Sequence, residues 1–296
     1  MTTFGDVAAN IAGVRLVRHA VLTGAGTWAA PGTGFPSDVV AGADPDLVYE
    51  VPIPGPYAFG PIPPDAPNAP SYLQSVQIAV NNGIAWIKAH PLQTFILGGY
   101  SQGAAVVSQL LAELMTGSLT AYRSNLVGGY TFGNPMRMAG HTGPGLNDPG
   151  GHGIAPVNLT AAQVPPGWVD IANPGDIYTA APPGQEGKDM TDVYQIAVNF
   201  QIADFATFVN SEITASRGLI SDIEQLPTDP AARQAAVQAA LAALTFFASG
   251  TAPHVSYGST YVQPGVTGVQ YAIGWVNQIA AATPARTAAT PAATAV

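Results

Sequence analysis

Apolar residues recur along the chain in two patterns, short continuous runs and longer stretches with helical spacing. Four short runs have the length and the β-favouring residues of buried strands: 14–22, 94–97, 125–131 and 167–172. Helical spacing or a helix-start signal marks the segments between and after them: 35–41, 71–90, 104–115 and 269–280. Because strands alternate with helices, the pattern predicts an α/β fold with a mainly parallel central sheet covered on both faces.

Two segments depart from this alternation. Residues 51–70 carry many prolines, which block regular ladders and predict an extended surface connection. Tyr57 and Phe59 would let this connection line a cleft, although a rigid connection is the simpler interpretation. Residues 191–250 are rich in alanine and have helical spacing without any strand run, so we expect a helical linker or cap inserted in the α/β domain.

These boundaries predict one α/β domain, formed by residues 1–190 and 251–281 and interrupted by the helical insertion. The long helical pieces of the insertion are expected at 192–214 and 229–248. Residues 282–296 have little to bury and are expected to form a disordered tail.

Composition narrows the choice of partners. The 296 residues are 9% charged and carry a formal net charge of -9, which argues against nucleic-acid binding because that needs clustered Lys and Arg. The chain has no cysteine, so disulfides and thiolate metal sites are excluded. No basic segment precedes an apolar core at the N-terminus, and no apolar run reaches about 18 residues, so we expect neither a signal peptide nor a membrane span. Composition leaves the oligomeric state unknown.

The clearest chemical motif lies where the run 94–97 approaches the helix at 104–115. The intervening residues 99–103, GYSQG, fit the pattern G-x-S-x-G. Between a strand and a helix this pattern is typical of the nucleophile elbow of α/β-hydrolases. The glycines let neighbouring elements approach closely, so the hydroxyl of Ser101 projects from a strained turn. The alternative is a glycine-rich loop that happens to contain a serine.

A nucleophilic serine needs a base, and the base needs a carboxylate that fixes its tautomer and stabilises its charge. In α/β-hydrolases the chain order is serine, then Asp or Glu, then histidine. His254 follows the later strands and is therefore predicted as the base of Ser101. For the acid we choose Asp176, which follows the run 167–172 at its carboxyl end, with Asp170 inside the run as the alternative. The other histidines precede the serine or lie in an early loop: His19, His90, His141 and His152.

Two oxyanion donors are predicted beside the serine, the backbone N–H of Gln102 and a group on Thr27. The N-terminus of the helix after Ser101 favours a developing anion. Thr27 lies in the glycine-rich turn 23–28, and a loop after an early strand is where α/β-hydrolases place the second donor. An ordinary strand-to-helix turn is the alternative for this segment.

Residues 138–165 are rich in Gly, Pro and Asn and contain His141, Asp148 and His152. The spacing of these three side chains fits no metal-ligand template. We therefore expect a flexible surface loop here, and no metal or cofactor.

Five motifs that follow one another along the chain resemble the mycobacteriophage lysin B esterases, which are cutinase-like α/β-hydrolases: GGYSQGA, FGNPMR, NPGDIYTA, LTFFA and PH. The resemblance spans about Thr23 to Tyr261, and FGNPMR is much more specific than the serine motif. It implies that Ser101 is the nucleophile, Asp176 the acid and His254 the base. The segment GAGTW resembles the cutinase-type oxyanion loop, in which a threonine contributes. The helical insertion matches the helical linker subdomain of the family, and no N-terminal peptidoglycan-binding domain is expected.

The activity implied by this resemblance is a serine esterase that hydrolyses the ester between mycolic acids and arabinogalactan in the mycobacterial cell wall during phage-induced lysis. The lack of a signal-peptide pattern fits a protein that stays in the host cytoplasm until holin-mediated membrane damage lets it reach the wall. Two alternatives stay open. One is a cutinase-like lipase or esterase of other lipid esters, and the other is a non-catalytic wall-binding protein on the same scaffold.

Overall fold

A parallel β-sheet forms the centre of the computed structural model, which describes residues 17–60, 64–66, 68–198 and 252–287. Its strands are His19–Gly24 (β1), Val48–Pro52 (β2), Phe95–Tyr100 (β3), Leu126–Phe132 (β4) and Trp168–Ile171 (β5). They lie in the order β2-β1-β3-β4-β5, and each neighbouring pair is parallel. The predicted parallel sheet is therefore confirmed.

Helices cover both faces of this sheet. The α-helices are Phe35–Gly42 (α1), Tyr72–Ala89 (α2), Gln102–Thr116 (α3), Gln185–Val198 (α4) and Gly268–Ala282 (α5), and Thr120–Asn125 forms a 3₁₀-helix. Leu22 and Leu97 of the central strands belong to the core under α2 and α3. Val21 and Ile96 belong to the core on the other face, with α1 and α5. Adjacent strand residues thus enter opposite cores, which is why these strands read as continuous apolar runs.

Two of the helices begin with a capping box, in which the N-cap side chain and the third helical residue bond each other's backbone. Ser71 caps α2, with Gln74 as its partner at 3.2 Å in both directions. Thr267 and Gln270 form the same arrangement at the start of α5.

The prediction of a proline-rich connection from residue 51 is wrong at its start. Val48–Pro52 forms strand β2, which lies at the edge of the sheet and pairs with β1 up to Thr23 opposite Pro52. An edge strand tolerates a proline because the missing N–H does not have to serve a second neighbour. A short hairpin of Tyr261–Gln263 (β6) and Val266–Thr267 (β7) was not predicted either.

The segment 138–165 is irregular, as expected for a loop, but it is anchored rather than free. The fully buried side chain of Arg137 donates hydrogen bonds to the carbonyl oxygens of His141 and Gly150 and to the carboxylate of Asp148. A buried guanidinium that donates to several backbone carbonyls at once fixes the path of the chain around it.

The predicted helical insertion lies mostly outside the described residues. Helix α4 starts ahead of residue 191 and is described to Val198, and the remainder of the expected insertion through 250 lies outside the described residues. The start of the expected tail is bonded to the residue before β3, since the carbonyl of Arg286 accepts the backbone N–H of Thr94 at 3.0 Å. Residues 288–296 again lie outside the described residues. Within the described ranges no helix is long and apolar enough to cross a membrane.

Candidate active site

Ser101 occupies a strained turn between β3 and α3. Its backbone has φ 53° and ψ -116°, a left-handed conformation that is unusual for a residue with a Cβ atom. A Cβ atom on Gly103 would overlap the carbonyl of Gly24 at the end of β1, and a Cβ on Gly99 would collide with the carbonyl of Gly103. Both glycines of the motif are thus required by close backbone contacts, and the turn has the form predicted for a nucleophile elbow.

The structure brings Ser101, His254 and Asp176 together in one hydrogen-bonded line. Ser101 Oγ lies 2.9 Å from His254 Nε2, and His254 Nδ1 lies 2.9 Å from Asp176 Oδ2. Asp176 follows β5 in a tight turn in which its N–H donates to the carbonyl of Asn173. The carboxylate is fully buried and the imidazole is nearly so, which strengthens the electrostatic interaction between them.

Two tyrosines that no sequence motif marked as site residues complete the surroundings of Asp176. The hydroxyl of Tyr257 donates to Asp176 Oδ2 at 2.5 Å, and the backbone N–H of Tyr178 donates to Oδ1 at 3.1 Å. Burial, with the nearby charge of Asp176 adding to it, raises the pKa of Tyr178 to about 12. Burial and the same charge raise the pKa of Tyr257 well above its usual value.

The loop that carries His254 is held from two sides. Tyr100 donates its hydroxyl to the carbonyl of His254 at 3.0 Å, and Asn173 donates its side-chain amide to the carbonyl of Pro253 at 2.7 Å. The ring of Tyr178 lies 4.6 Å from the imidazole, centroid to centroid. These contacts orient the histidine before any substrate binds.

Gly133, in the motif FGNPMR, makes room for the pair of His254 and Asp176. Its φ is 54°, and a Cβ atom there would lie 2.6 Å from His254 Cε1 and 3.0 Å from Asp176 Oδ2. Any side chain at this position would therefore displace the imidazole. The sequence indicated the motif only through its resemblance to a family, and the steric role of Gly133 follows from the folded structure.

The alternative acid, Asp170, lies in a separate buried network. Its Oδ2 pairs with His141 Nδ1 at 2.7 Å, and its Oδ1 accepts hydrogen bonds from Thr131 Oγ1 at 2.5 Å and from Asn134 Nδ2 at 2.8 Å. Asp170 thus pairs with His141, and Asp176 is the carboxylate that contacts His254.

The expected oxyanion donors lie on the two backbone segments that meet at the elbow. Gln102 is the first residue of α3 and is fully buried, with its side-chain amide donating to the carbonyl of Ala58 at 3.0 Å. The loop with Thr27 follows β1, and Gly26 within it packs so tightly on the ring of Tyr100 that a Cβ would lie 2.8 Å from that ring. The roles of the Gln102 N–H and of Thr27 stay predictions.

The three candidate ligands in the anchored loop bind different partners. His141 pairs with Asp170, Asp148 pairs with Arg137, and His152 Nδ1 lies 2.8 Å from the carbonyl oxygen of Gly153. Across the ranges that the structure describes, no group of three or more His, Asp or Glu side chains is arranged to hold a metal ion.

Comparisons with known proteins point to one fold. No family model matches the chain, and no curated protein matches it significantly. Among solved structures, lysin B from Mycobacteriophage D29 is similar with a TM-score of 0.58 and 22% identity, over 88% of this chain and 99% of that one.

Weaker likenesses include a cutinase-like protein from Cryptococcus sp., with 17% identity, coverage of 59% and 86%, and a TM-score of 0.42. The catalytic core of acetyl xylan esterase from Trichoderma reesei has 19% identity, coverage of 67% and 100%, and a TM-score of 0.37. The likeness to lysin B and the parallel sheet confirm, at the level of the fold, the resemblance inferred from the sequence motifs: the chain has an α/β-hydrolase fold.

Proposed function

We propose that the chain is a serine esterase in which Ser101 is the nucleophile, His254 the general base and Asp176 the acid. The observation that carries this proposal is the unbroken line of two 2.9 Å contacts from Ser101 Oγ through the imidazole to a fully buried carboxylate. In this geometry the tautomer with its proton on Nδ1 faces the carboxylate, which leaves Nε2 free to accept the proton of Ser101.

In the first half of the reaction, Ser101 Oγ attacks the acyl carbon of the ester while His254 Nε2 takes the hydroxyl proton. The carbonyl oxygen becomes an oxyanion, stabilised by the N–H of Gln102 and by Thr27, and each such donor is worth roughly 3–4 kcal/mol in the transition state. The tetrahedral intermediate then collapses. The bond to the alcohol oxygen breaks, and the alcohol leaves with the proton that His254 held.

In the second half, water replaces the alcohol. His254 takes one proton from the water as its oxygen attacks the acyl carbon, and the second tetrahedral intermediate releases the carboxylic acid. The proton returns to Ser101 Oγ, so the enzyme is regenerated. Asp176 stays ionised throughout and stabilises the imidazolium that forms in each half.

The natural substrate that we propose is the ester between mycolic acids and arabinogalactan, in a protein that acts on the mycobacterial wall during phage-induced lysis. Support comes from the order of the five sequence motifs and from a fold shared with lysin B over almost all of that protein. In this role the chain would remain in the host cytoplasm until membrane damage by a holin, and would then act at the wall.

The first test is hydrolysis of p-nitrophenyl esters with short to long acyl chains. Ser101→Ala is expected to lower kcat/KM by about 10⁴-fold or more, because the remaining groups cannot form the acyl-enzyme. Alanine has the same Cβ atom as serine, so the strained backbone at this position is not further penalised. Ser124→Ala is the matched control, because this exposed serine precedes the amino end of β4, away from the carboxyl ends of the strands.

The substrate is tested with purified mycolyl-arabinogalactan, by chromatography of the released acids. Release that depends on Ser101 supports the wall ester. Hydrolysis of p-nitrophenyl esters without any release from the wall polymer would favour an esterase of other lipids. A folded protein that cleaves neither substrate, and that a fluorophosphonate does not label, would contradict the esterase proposal itself.

A further inference from the structure

The carboxylate of Asp176 accepts more hydrogen bonds than the triad requires. Tyr257 donates its hydroxyl to Oδ2 at 2.5 Å, and this is the same oxygen that faces His254 Nδ1 at 2.9 Å. Two donors therefore share one carboxylate oxygen. The Tyr257 hydroxyl therefore takes part of the negative charge that would otherwise face the imidazole.

The position of Tyr257 is fixed by its surroundings. Its side chain is fully buried, and its ring lies 5.4 Å from that of Phe132 and 6.1 Å from that of Phe35. The hydroxyl oxygen also accepts the backbone N–H of Asn173 at 3.3 Å. Because burial keeps the phenol neutral across the working range of an esterase, the hydroxyl acts toward Asp176 only as a donor.

We propose that Tyr257 is a positioning residue that acts through Asp176 to weaken the basicity of His254. This inference rests on the proposed function. A donor on Oδ2 spreads the negative charge of Asp176 and reduces the stabilisation that the carboxylate gives to the imidazolium. His254 then releases its proton more readily and remains a neutral base to lower pH, and the same hydroxyl keeps the carboxylate in the orientation that faces Nδ1.

The groups around His254 leave Asp176 as the source of the effect. The described side chains that face the imidazole, by hydrogen bond or ring contact, are Ser101, Tyr100, Asp176 and Tyr178. The pKa values of Tyr100 and Tyr178 are raised by burial, so neither tyrosine is ionised near neutral pH. Asp176 is thus the charge, among these groups, whose strength the Tyr257 hydroxyl can alter.

The test replaces Tyr257 by Phe and follows the titration of the His254 ring protons by NMR, with His254→Gln to assign the signal. Phenylalanine keeps the ring and its packing and removes only the hydroxyl. The midpoint of the His254 titration is expected to rise by roughly half a pH unit, in keeping with the loss of one hydrogen bond that acts indirectly. The acid limb of kcat/KM for a p-nitrophenyl ester should move to higher pH by the same amount. Tyr261→Phe, at an exposed tyrosine of β6, is the control and should move neither midpoint.

A fluorinated tyrosine incorporated at position 257 supplies the opposite perturbation, because it keeps the shape and makes the hydroxyl a stronger donor. The midpoint of His254 should then fall. An unchanged or lower midpoint in Tyr257→Phe would overturn the proposal and leave Tyr257 a packing residue.

The NMR titration needs no turnover, so the two proposals fail separately. A shifted His254 midpoint in a protein without ester hydrolysis would contradict the proposed function and keep the coupling between Tyr257 and His254. Hydrolysis that depends on Ser101, with no shift in Tyr257→Phe, would contradict the coupling alone.

Discussion

The exchange of Asp176 for Asn removes one charge from the centre of the site and changes its volume very little. In the wild type, Oδ2 accepts from His254 and Tyr257 while Oδ1 accepts from the N–H of Tyr178. An asparagine has one oxygen for these three donors. If its NH₂ group faces His254 Nδ1, the imidazole must carry its proton on Nε2, and Ser101 loses its base. If the NH₂ group faces Tyr178 instead, it opposes the backbone N–H of Tyr178, because both groups are donors. The imidazolium then has no charged partner.

Either orientation predicts a large loss in the chemical step. In serine hydrolases with the same arrangement this exchange lowers kcat by about 10⁴-fold. Such a factor corresponds to roughly 5–6 kcal/mol of transition-state stabilisation. The assay is steady-state hydrolysis of a p-nitrophenyl ester, with far-ultraviolet circular dichroism and a thermal melt to show that the variant is folded.

Asp170→Asn is the matched comparison, because it makes the same chemical change in the neighbouring buried network. Here His141 can switch its tautomer and accept from the new amide, and no reacting group is touched. We expect kcat to stay within a few-fold of the wild type, while the free energy of unfolding falls by about 1–3 kcal/mol through the loss of a buried charge-assisted pair. Equal losses of kcat in both variants, or a greater loss in Asp170→Asn, would refute the assignment of Asp176.

Gly133→Ala is expected to lower kcat by about 10²-fold. The new Cβ would lie 2.6 Å from the His254 ring and would therefore displace the base by up to about an ångström. Gly140 also has a left-handed backbone, with φ 74°, but a Cβ atom there would meet nothing nearer than 4.0 Å. The variant Gly140→Ala should therefore lose stability and keep its kcat. Burial lowers the pKa of His19 from its usual value, so below about pH 6.5 the unfolded chain binds a proton that the folded chain does not. The free energy of unfolding in urea should therefore decrease as pH falls from about 6.5, and His19→Gln should have a weaker slope; an equal slope in both proteins would show that His19 is not the group responsible.

Local patterns were sufficient to predict the parts of the fold that depend on neighbouring residues. The run before Ser101 and the helix after it predicted the elbow because strand, turn and helix are each determined within a few residues. The choice of His254 followed from chain order alone, because the other histidines precede the later strands. Strand β2 was missed because Pro52 indicates a break, and only its place at the edge of the sheet makes a proline acceptable there.

The supporting residues of the site could not be predicted in this way. Tyr257 lies 81 positions from Asp176 in sequence, and nothing in the local pattern of either residue indicates that they meet. Local patterns do not decide between Asp176 and Asp170 as the acid either. Both carboxylates are fully buried and each pairs with a histidine, so their roles differ only in which histidine reaches Ser101.

The turn 132–137, FGNPMR, connects these separate elements. The carbonyl of Phe132 accepts the N–H of Ser101 at 3.0 Å, and Gly133 leaves the space that His254 occupies. Asn134 donates to Asp170, and Arg137 ties down the following loop. These four residues of the motif thus build the geometry of the triad or its support, and the contacts named here all lie within the protein. The motif therefore supports the proposed reaction more strongly than it supports a mycolyl substrate, and the choice of ester must depend on residues other than these.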